Sequence, residues 1–343
     1  MTRYLIRRLN LFLATSLVLF AVLFIVTNQF PVEQGFALTG ILSPSAQQIA
    51  QINADFNLNS DSFDQFIAYL HQRLSGDLGI SATSQRPVAE ELASVLPASF
   101  ELASVAATLA IALGLPLGVL ASLSRHKITQ HTIMAITLTG YSIPVFWLGL
   151  TLSLWFGVQL GWLPISGRLN LLYEIEPITG LILIDTLMSH SPYSVSAFID
   201  AILHLILPAI TLAVLPFTVV VRITRSTMIT IMDQTYIKAA EARGLHTYRI
   251  VLRHALPNAL IPVIKSLGLM LGAFVSYAMI VEVIFSWPGV GNWLVSGIYQ
   301  RDYTVIQGGV LAVALSIIFL SIMIEVLHTA INPLSRKELY DSN

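Results

Sequence analysis

Glu101, Glu282, Glu325 and His204 fall within or at the edges of long apolar runs. A carboxylate at the centre of a bilayer costs about 3 kcal/mol, so each such residue either lines a solute pathway or is held by helix ends and backbone donors. Glu101 and Glu282 lie near the outer ends of their runs, where both roles stay open. Glu325, close to His328 at an inner end, reads as structural. His126 and His131 lie five apart around a turn and lack a third ligand, so they read as polar surface. There is no cysteine, which excludes disulfides, thiolate metal sites and cysteine nucleophiles. The chain also lacks a G-x-x-x-x-G-K-[ST] phosphate loop, a G-x-S-x-G elbow and an H-E-x-x-H pair. No catalytic residue, metal or cofactor is assigned, and any driving energy must come from another subunit.

The second concentration of chemistry is a polar stretch between apolar runs, Asp233 to Gly244, followed by Leu256-Pro257. Asp233 is suited to accept from the free amides of a helix's first turn. Gly244 is suited to end that helix in the left-handed conformation. The expected helix has about three turns, with Ala239 and Ala240 at its middle. Alanine favours helix and covers the backbone thinly, so such a helix can seat deep in a partner's groove. Lys238, Arg243, Arg249 and Arg253 make the region cationic, with Glu241 among them. The alternative is a solvated basic loop. Pro257 is expected to end the second cytoplasmic helix, because proline cannot donate to its i−4 carbonyl.

The elements that carry these residues follow from composition. The chain of 343 residues is 55% hydrophobic and only 11% charged, less than half the charged share of about 25% in soluble domains. Its apolar runs are long and do not alternate, so the expected fold is all-α and membrane-spanning. Six runs reach about 20 residues: 9–30, 99–123, 132–158, 202–221, 263–285 and 306–331. The connections then divide the charges sharply. Arg3, Arg7, Arg8, Arg125, Lys127, Arg222, Arg225, Lys238, Arg243, Arg249, Arg253, Lys265, Arg336 and Lys337 fall on one side, and only Arg73, Arg86, Arg168 and Arg301 on the other. That asymmetry puts both termini in the cytoplasm. The run after Arg3, Arg7 and Arg8 is too long for a signal-peptide core and has no A-x-A site, so it reads as a retained first span.

The outer segments are acidic. Residues 31–98 carry seven carboxylates against Arg73 and Arg86, and 159–201 carry Glu174, Glu176, Asp185 and Asp200 with one arginine. Either a steering field for cationic solutes or ordinary exclusion of positive charge explains this. Phe63, Phe66, Ile67, Leu70 and Leu74 recur at helical spacing, which predicts an amphipathic outer helix over 61–74. Asp77-Leu78-Gly79 reads as a turn, and 87–96 as a short helix ending before Pro97. Pro208 and Pro216 interrupt the fourth span, as a gate kink or as simple shaping of the bundle. Gly114 to Gly118 and Gly268 to Gly272 suit close helix contacts. Trp287, Pro288, Gly289 and Gly291 read as an outer turn.

Lys238-Ala239-Ala240, three further residues, Gly244 and then Leu256-Pro257 resemble the E-A-A-x-x-x-G…L-P pattern of ABC importer permeases, with Lys238 in place of glutamate and His254 where isoleucine is common. Glu282 to Gly291 is similar to the V-E-x-x-F-S-x-P-G-L/I-G block of the dipeptide, oligopeptide and nickel permease family. Arg301-Asp302-Tyr303, Asn332-Pro333, Arg125-His126-Lys127, Ser142 to Trp147 and Gly161 to Arg168 fit as well, and the resemblance covers nearly the whole chain. The run from Leu171 to Asp185 is most similar to the Sap peptide-transport branch.

The resemblance implies a six-helix type I permease and a domain plan: an N-terminal span (1–30), an outer loop region (31–94), a permease domain (95–331, coupling loop 222–262) and a tail (332–343). It implies a second homologous permease, two cytoplasmic ATPase subunits, a periplasmic solute-binding protein and membrane lipid as partners, with no nucleic acid, in a bacterial inner membrane. Lys238, Ala239, Ala240, Glu241, Arg243, Gly244, Leu256 and Pro257 would form the ATPase-coupling loop. The implied cargo is peptides, including cationic antimicrobial ones, with polyamine export or di/oligopeptide or nickel import as alternatives. An ion-coupled carrier would show paired intramembrane charges and internal repeats, which are not evident.

Overall fold

The computed structural model describes residues 2–30 and 32–331. The expected tail, with Arg336, Lys337 and the Asn332-Pro333 ending, lies outside the described residues. Among those described there is no strand, only one isolated bridge between Ile80 and Pro87.

The chain begins with α1 (Thr2–Thr27) and three short outer helices, α2 (Gln34–Thr39), α3 (Ala46–Asp55) and α4 (Ser62–Leu74). The long α5 (Val88–Leu123) follows, then α6 (Lys127–Ser142) and α7 (Val145–Leu152), which a π-helical turn prolongs to Gln159. After an outer segment come α8 (Ile182–Met188) and the longest helix, α9 (Ser194–Met232). Next are α10 (Thr235–Ala242), α11 (Thr247–Ile250), a π turn (Val251–Ala255) and α12 (Leu256–Leu269). The chain continues as α13 (Leu271–Ile284), α14 (Val290–Gln300) and α15 (Tyr303–Ile331).

The bundle is organised by α5 against α9. Ala98, Leu102, Ala106, Ala110, Gly114, Gly118 and Ala121 recur every three or four residues and are all buried. A Cβ at Gly114 would stand 2.8 Å from Val220 Cγ1, and one at Gly118 would stand 2.6 Å from Thr224 Cβ. Small residues let two backbones approach where lipid supplies no hydrophobic drive. A core of Leu205, Leu207, Leu212, Val281, Phe285 and Trp287 packs around this seam.

Five helices among the described residues are long and apolar enough to cross a membrane: Tyr4–Thr27, α5, α9, Thr247–Leu269 and α15. The run expected as one span at 132–158 is instead α6 and α7, bent by 101°. Pro144 causes the break, since it drives Ile143 into extended backbone (φ −79°, ψ 125°). The run expected at 263–285 is cut at Met270 between α12 and α13. Prolines inside α5 and α9 do not end those helices: Pro97, Pro208 and Pro216 are all within continuous helix. The short helix expected to stop before Pro97 is therefore the first part of α5.

The outer segment is folded onto the last helix. Arg73 is buried, donating to the carbonyls of Asp77 and Leu38 at 2.8 Å each. Gln307 of α15 donates to the carbonyl of Ala37 at 2.7 Å. Asp302 accepts from Val305 N–H in the first turn of α15 and from Ser81 Oγ of the outer segment at 2.7 Å. The buried face of α4 is the expected one only in part: Phe66 and Leu70 pack against the cluster of Phe24, Tyr69 and Leu311. Phe63 is 71% exposed and Leu74 69%, whereas Tyr69 and Arg73 are buried. Burial pushes the Tyr69 hydroxyl above the usual tyrosine pKa, opposed by Arg73. At the other end Arg8 pairs with Glu325 at 2.6 Å and joins α1 to α15, the structural role expected for that carboxylate.

Candidate functional site

The polar stretch after α9 is a short helix on a fixed base. Ile237 is fully buried against Met228, Ile231, Ile250 and Val251. Lys238 Nζ lies 2.7 Å from Asp233 Oδ1. Lys238 also holds the Asp233 carboxyl below the usual aspartate range, by hydrogen bond and by charge. Asp233 follows the last residue of α9 as its C-cap rather than capping the start of α10 as expected; Gln234 precedes α10 and makes no side-chain cap. The helix has eight residues, about two turns. Gly244 follows at φ +78°, the left-handed exit expected of it. Tyr236, Lys238, Ala239, Glu241, Ala242 and Arg243 are exposed, while Ala240 is half-buried against the bundle. The two alanines that look equivalent in the sequence therefore face different ways.

Pro257 does not stop the helix that follows. Leu256 N–H reaches back five residues to Val251 O, and Pro257 sits in the first turn of α12. A proline ring clashes with the carbonyl four residues earlier, and the wider π turn relieves that clash. Leu256 is half-buried and Pro257 exposed.

At the opposite end, the two outer carboxylates are held internally. Glu282 is 1% exposed. It accepts from Ser99 Oγ at 2.6 Å and from the amides of Gly291 and Asn292 at 2.7 and 3.2 Å. Trp287 is buried and its indole N–H donates to Ala98 O at 2.9 Å. Pro288 is exposed, and a Cβ on Gly289 would overlap the Glu282 carboxylate. Glu101 accepts from Arg168 Nη2 at 2.6 Å and from Leu183 N–H at 2.9 Å. Arg168 also donates to Gly180 O at 2.6 Å and lies 5.8 Å from the Trp287 ring centroid. Both carboxylates brace helix ends and loops, and Glu282 also lines a cavity of about 300 Å³ with Ser99, Phe274 and Gly291, so bracing does not decide between the two roles left open. Ser99, Asp302 and Arg73 were missed as partners; only the Arg301-Asp302-Tyr303 motif carried any signal for them.

No group of three or more possible metal ligands occurs among the described residues. A helical membrane bundle that braces its own charges and holds a short helix out beyond its apolar core has the build of a transporter's membrane subunit. Residues 114–337 match the model of the family described as "Binding-protein-dependent transport system inner membrane component", and the chain belongs to that family. It is 44% identical over 278 residues, 81% of this chain and 87% of the relative, to the putrescine export system permease protein SapB of Escherichia coli K12. It is 40% identical over 338 residues, 98% of this chain and all of the relative, to the di/tripeptide transport system permease protein DppB of Pseudomonas aeruginosa UCBPP-PA14. A chain of the MetNI methionine ABC transporter, solved in inward-facing conformations, shares the fold: TM-score 0.54 at 17% identity, over 71% of this chain and 97% of that one. This is a multi-pass permease of the ABC transporter class with the type I importer fold.

Proposed function

We propose that this chain forms half of a translocation pathway for peptides, paired with a second homologous permease and driven by two cytoplasmic ATPase subunits. A periplasmic binding protein delivers the cargo. In this reading the chain crosses the inner membrane six times, with α6–α7 as the third crossing, α12–α13 as the fifth, and both termini in the cytoplasm. Its parts are the first span (1–30), the outer region (31–94), the permease domain (95–331) and the tail (332–343). No step of bond chemistry is assigned to it.

The observation that carries the coupling role is the exposed face of α10. Ala239 and Ala242 present bare helix to the outside, while Ile237 and the Lys238–Asp233 pair fix that helix to the end of α9. A groove closing on Ala239 would push on α9 directly, and α9 is packed along α5, so the bundle would rock as a body. Arg243 is exposed at the end of α10, free to meet acidic residues at a groove rim. Lys238 is already turned to Asp233.

The test uses the absence of native cysteine. A single cysteine at Ala239 is paired with cysteines along the groove of a co-encoded ATPase, in membranes, with and without ATP. A cross-link whose yield changes with ATP supports the coupling helix; no cross-link with any co-encoded ATPase, in inserted protein, removes it. Putrescine is the second reading for cargo, favoured by the 44% identity to a putrescine export system permease.

A further inference from the structure

The break between α6 and α7 opens a cavity of about 290 Å³, close to the lower end of small-ligand pockets. The two ends of the broken helix line it, together with α9 and α13. Irregular backbone at membrane depth is tolerated where it is buried in protein or lines a cavity, and discontinuous helices commonly supply transport sites. The helical ladder is interrupted here. Ile143 N–H still donates to Thr139 O at 3.2 Å, and Leu148 N–H to Pro144 O at 3.0 Å. Between them Pro144 has no N–H, so the carbonyl of Gly140 loses its helical donor.

The chemistry of the lining is selective. Its polar side chains are hydroxyls, on Tyr141, Ser142, Thr211 and Tyr277, and the rest of its wall is apolar, with no carboxylate and no basic group. The carboxylates of the surrounding spans are occupied elsewhere: Glu101 by Arg168, Glu282 by Ser99 and the α14 amides, Glu325 by Arg8. A diamine brought here would keep two ammonium charges with no counter-charge, which is costly away from water. A peptide bond needs only hydrogen-bond partners: the Gly140 carbonyl and Ser142 Oγ, whose own proton goes to Leu138 O at 2.9 Å, can accept a cargo N–H, and the tyrosine hydroxyls can donate to a cargo carbonyl.

We propose that this cavity is a subsite for the peptide backbone, in which Gly140 O and the hydroxyls of Ser142 and Tyr277 hydrogen-bond cargo amides while the apolar wall takes a side chain. The subsite rests on the transport reading above and narrows it to peptides over diamines.

The test is ATP-dependent movement of radiolabelled trialanine and of radiolabelled putrescine by the complete transporter in proteoliposomes. Wild type moves trialanine and not putrescine. Tyr277→Phe raises the apparent KM for trialanine about tenfold, as expected for one hydrogen bond left unmade. Ser142→Asp, at an exposed position, adds the missing carboxylate and admits putrescine. Trialanine moved equally well by wild type and both variants, with putrescine still refused, overturns the subsite and leaves the transport reading standing. Putrescine moved in place of trialanine by wild type overturns the subsite and the peptide reading together. Movement of neither probe overturns the subsite along with the transport reading.

Discussion

The carboxylate of Glu282 accepts the amide N–H of Gly291 at 2.7 Å, so the last turn of α13 holds the first turn of α14. The turn between them is pinned in turn to α5, through the Trp287 indole on Ala98 O and through Ser99, whose hydroxyl donates to Glu282 and accepts from Val290 N–H. Arg168 adds the second outer segment by its pair with Glu101 of α5. The ends of α13 and α14, one turn of α5 and one loop are thereby a single block. Under the proposed coupling role a push from α10 travels the length of α9, and ends that do not yield separately would pass it on.

Gly289 is required by space, not by backbone freedom: its φ of −106° suits any residue. Gly289→Ala should therefore lower stability by about 2 kcal/mol, the usual cost of overpacking. Thermal unfolding in detergent reads this as a lower midpoint. An unchanged midpoint would mean that the Glu282 carboxylate has room to move aside.

Removing one partner of the Glu101–Arg168 pair strands a buried charge. Arg168→Met or Glu101→Gln should each cost about 3–5 kcal/mol. The double variant Glu101→Gln with Arg168→Met should cost much less than the sum of the two. Chemical denaturation of the four proteins closes the cycle, and simple additivity would show that the pair is not coupled.

The outer carboxylates also mark where the sequence stops being readable. Periodicity and hydropathy give the spans, and the glycine spacing of Gly289 and Gly291 gives the turn. The acceptor of the Gly291 amide, the Glu282 carboxylate, is nine residues away across that turn, and such a contact has no period. Ala239 and Ala240 are chemically identical neighbours; only the register set by burying Ile237 separates the exposed one from the half-buried one. Pro257 reads as a stop because the local rule is sound, but a π turn satisfies the same steric demand without ending the helix. Arg73 breaks the apolar face of α4, since carbonyls distant in sequence satisfy its guanidinium better than water would. The misses at Glu282 and Arg73 are tertiary partners overriding a local preference, whereas the miss at Pro257 is a local change of helix type.

Asp302 joins the outer segment to α15 from both its oxygens. Oδ1 accepts from Thr304 Oγ1 and Val305 N–H, and Oδ2 from Ser81 Oγ and Thr83 N–H. Asp302→Ala should remove about 1 kcal/mol of helix capping and release the 80–88 segment as well. Hydrogen exchange at Ile80, Ser81 and Val88, whose amides are bonded to Thr39, Arg86 and Gly79 carbonyls, should accelerate while the α5–α9 seam stays protected. Equal exchange in both proteins would show that Arg73 and Gln307 hold the segment without it.

The Asp233–Lys238 pair makes the seating of α10 pH-dependent in a defined direction. Lys238 lowers the folded-state pKa of Asp233, so the contribution is fully present above the ordinary aspartate range and is lost as pH falls through the depressed value. Aspartate in unfolded chains titrates near about pH 4, which places the change below that point. A spin label on a single cysteine at Ala239 reports it, because label and pair share one short helix. Mobility should be low and constant near neutral pH and should rise on acidification below about pH 4. Asp233→Asn should remove the acid step and leave the label more mobile near neutral pH. A wild-type profile that stays flat through the acid range would show that Ile237 alone seats the helix.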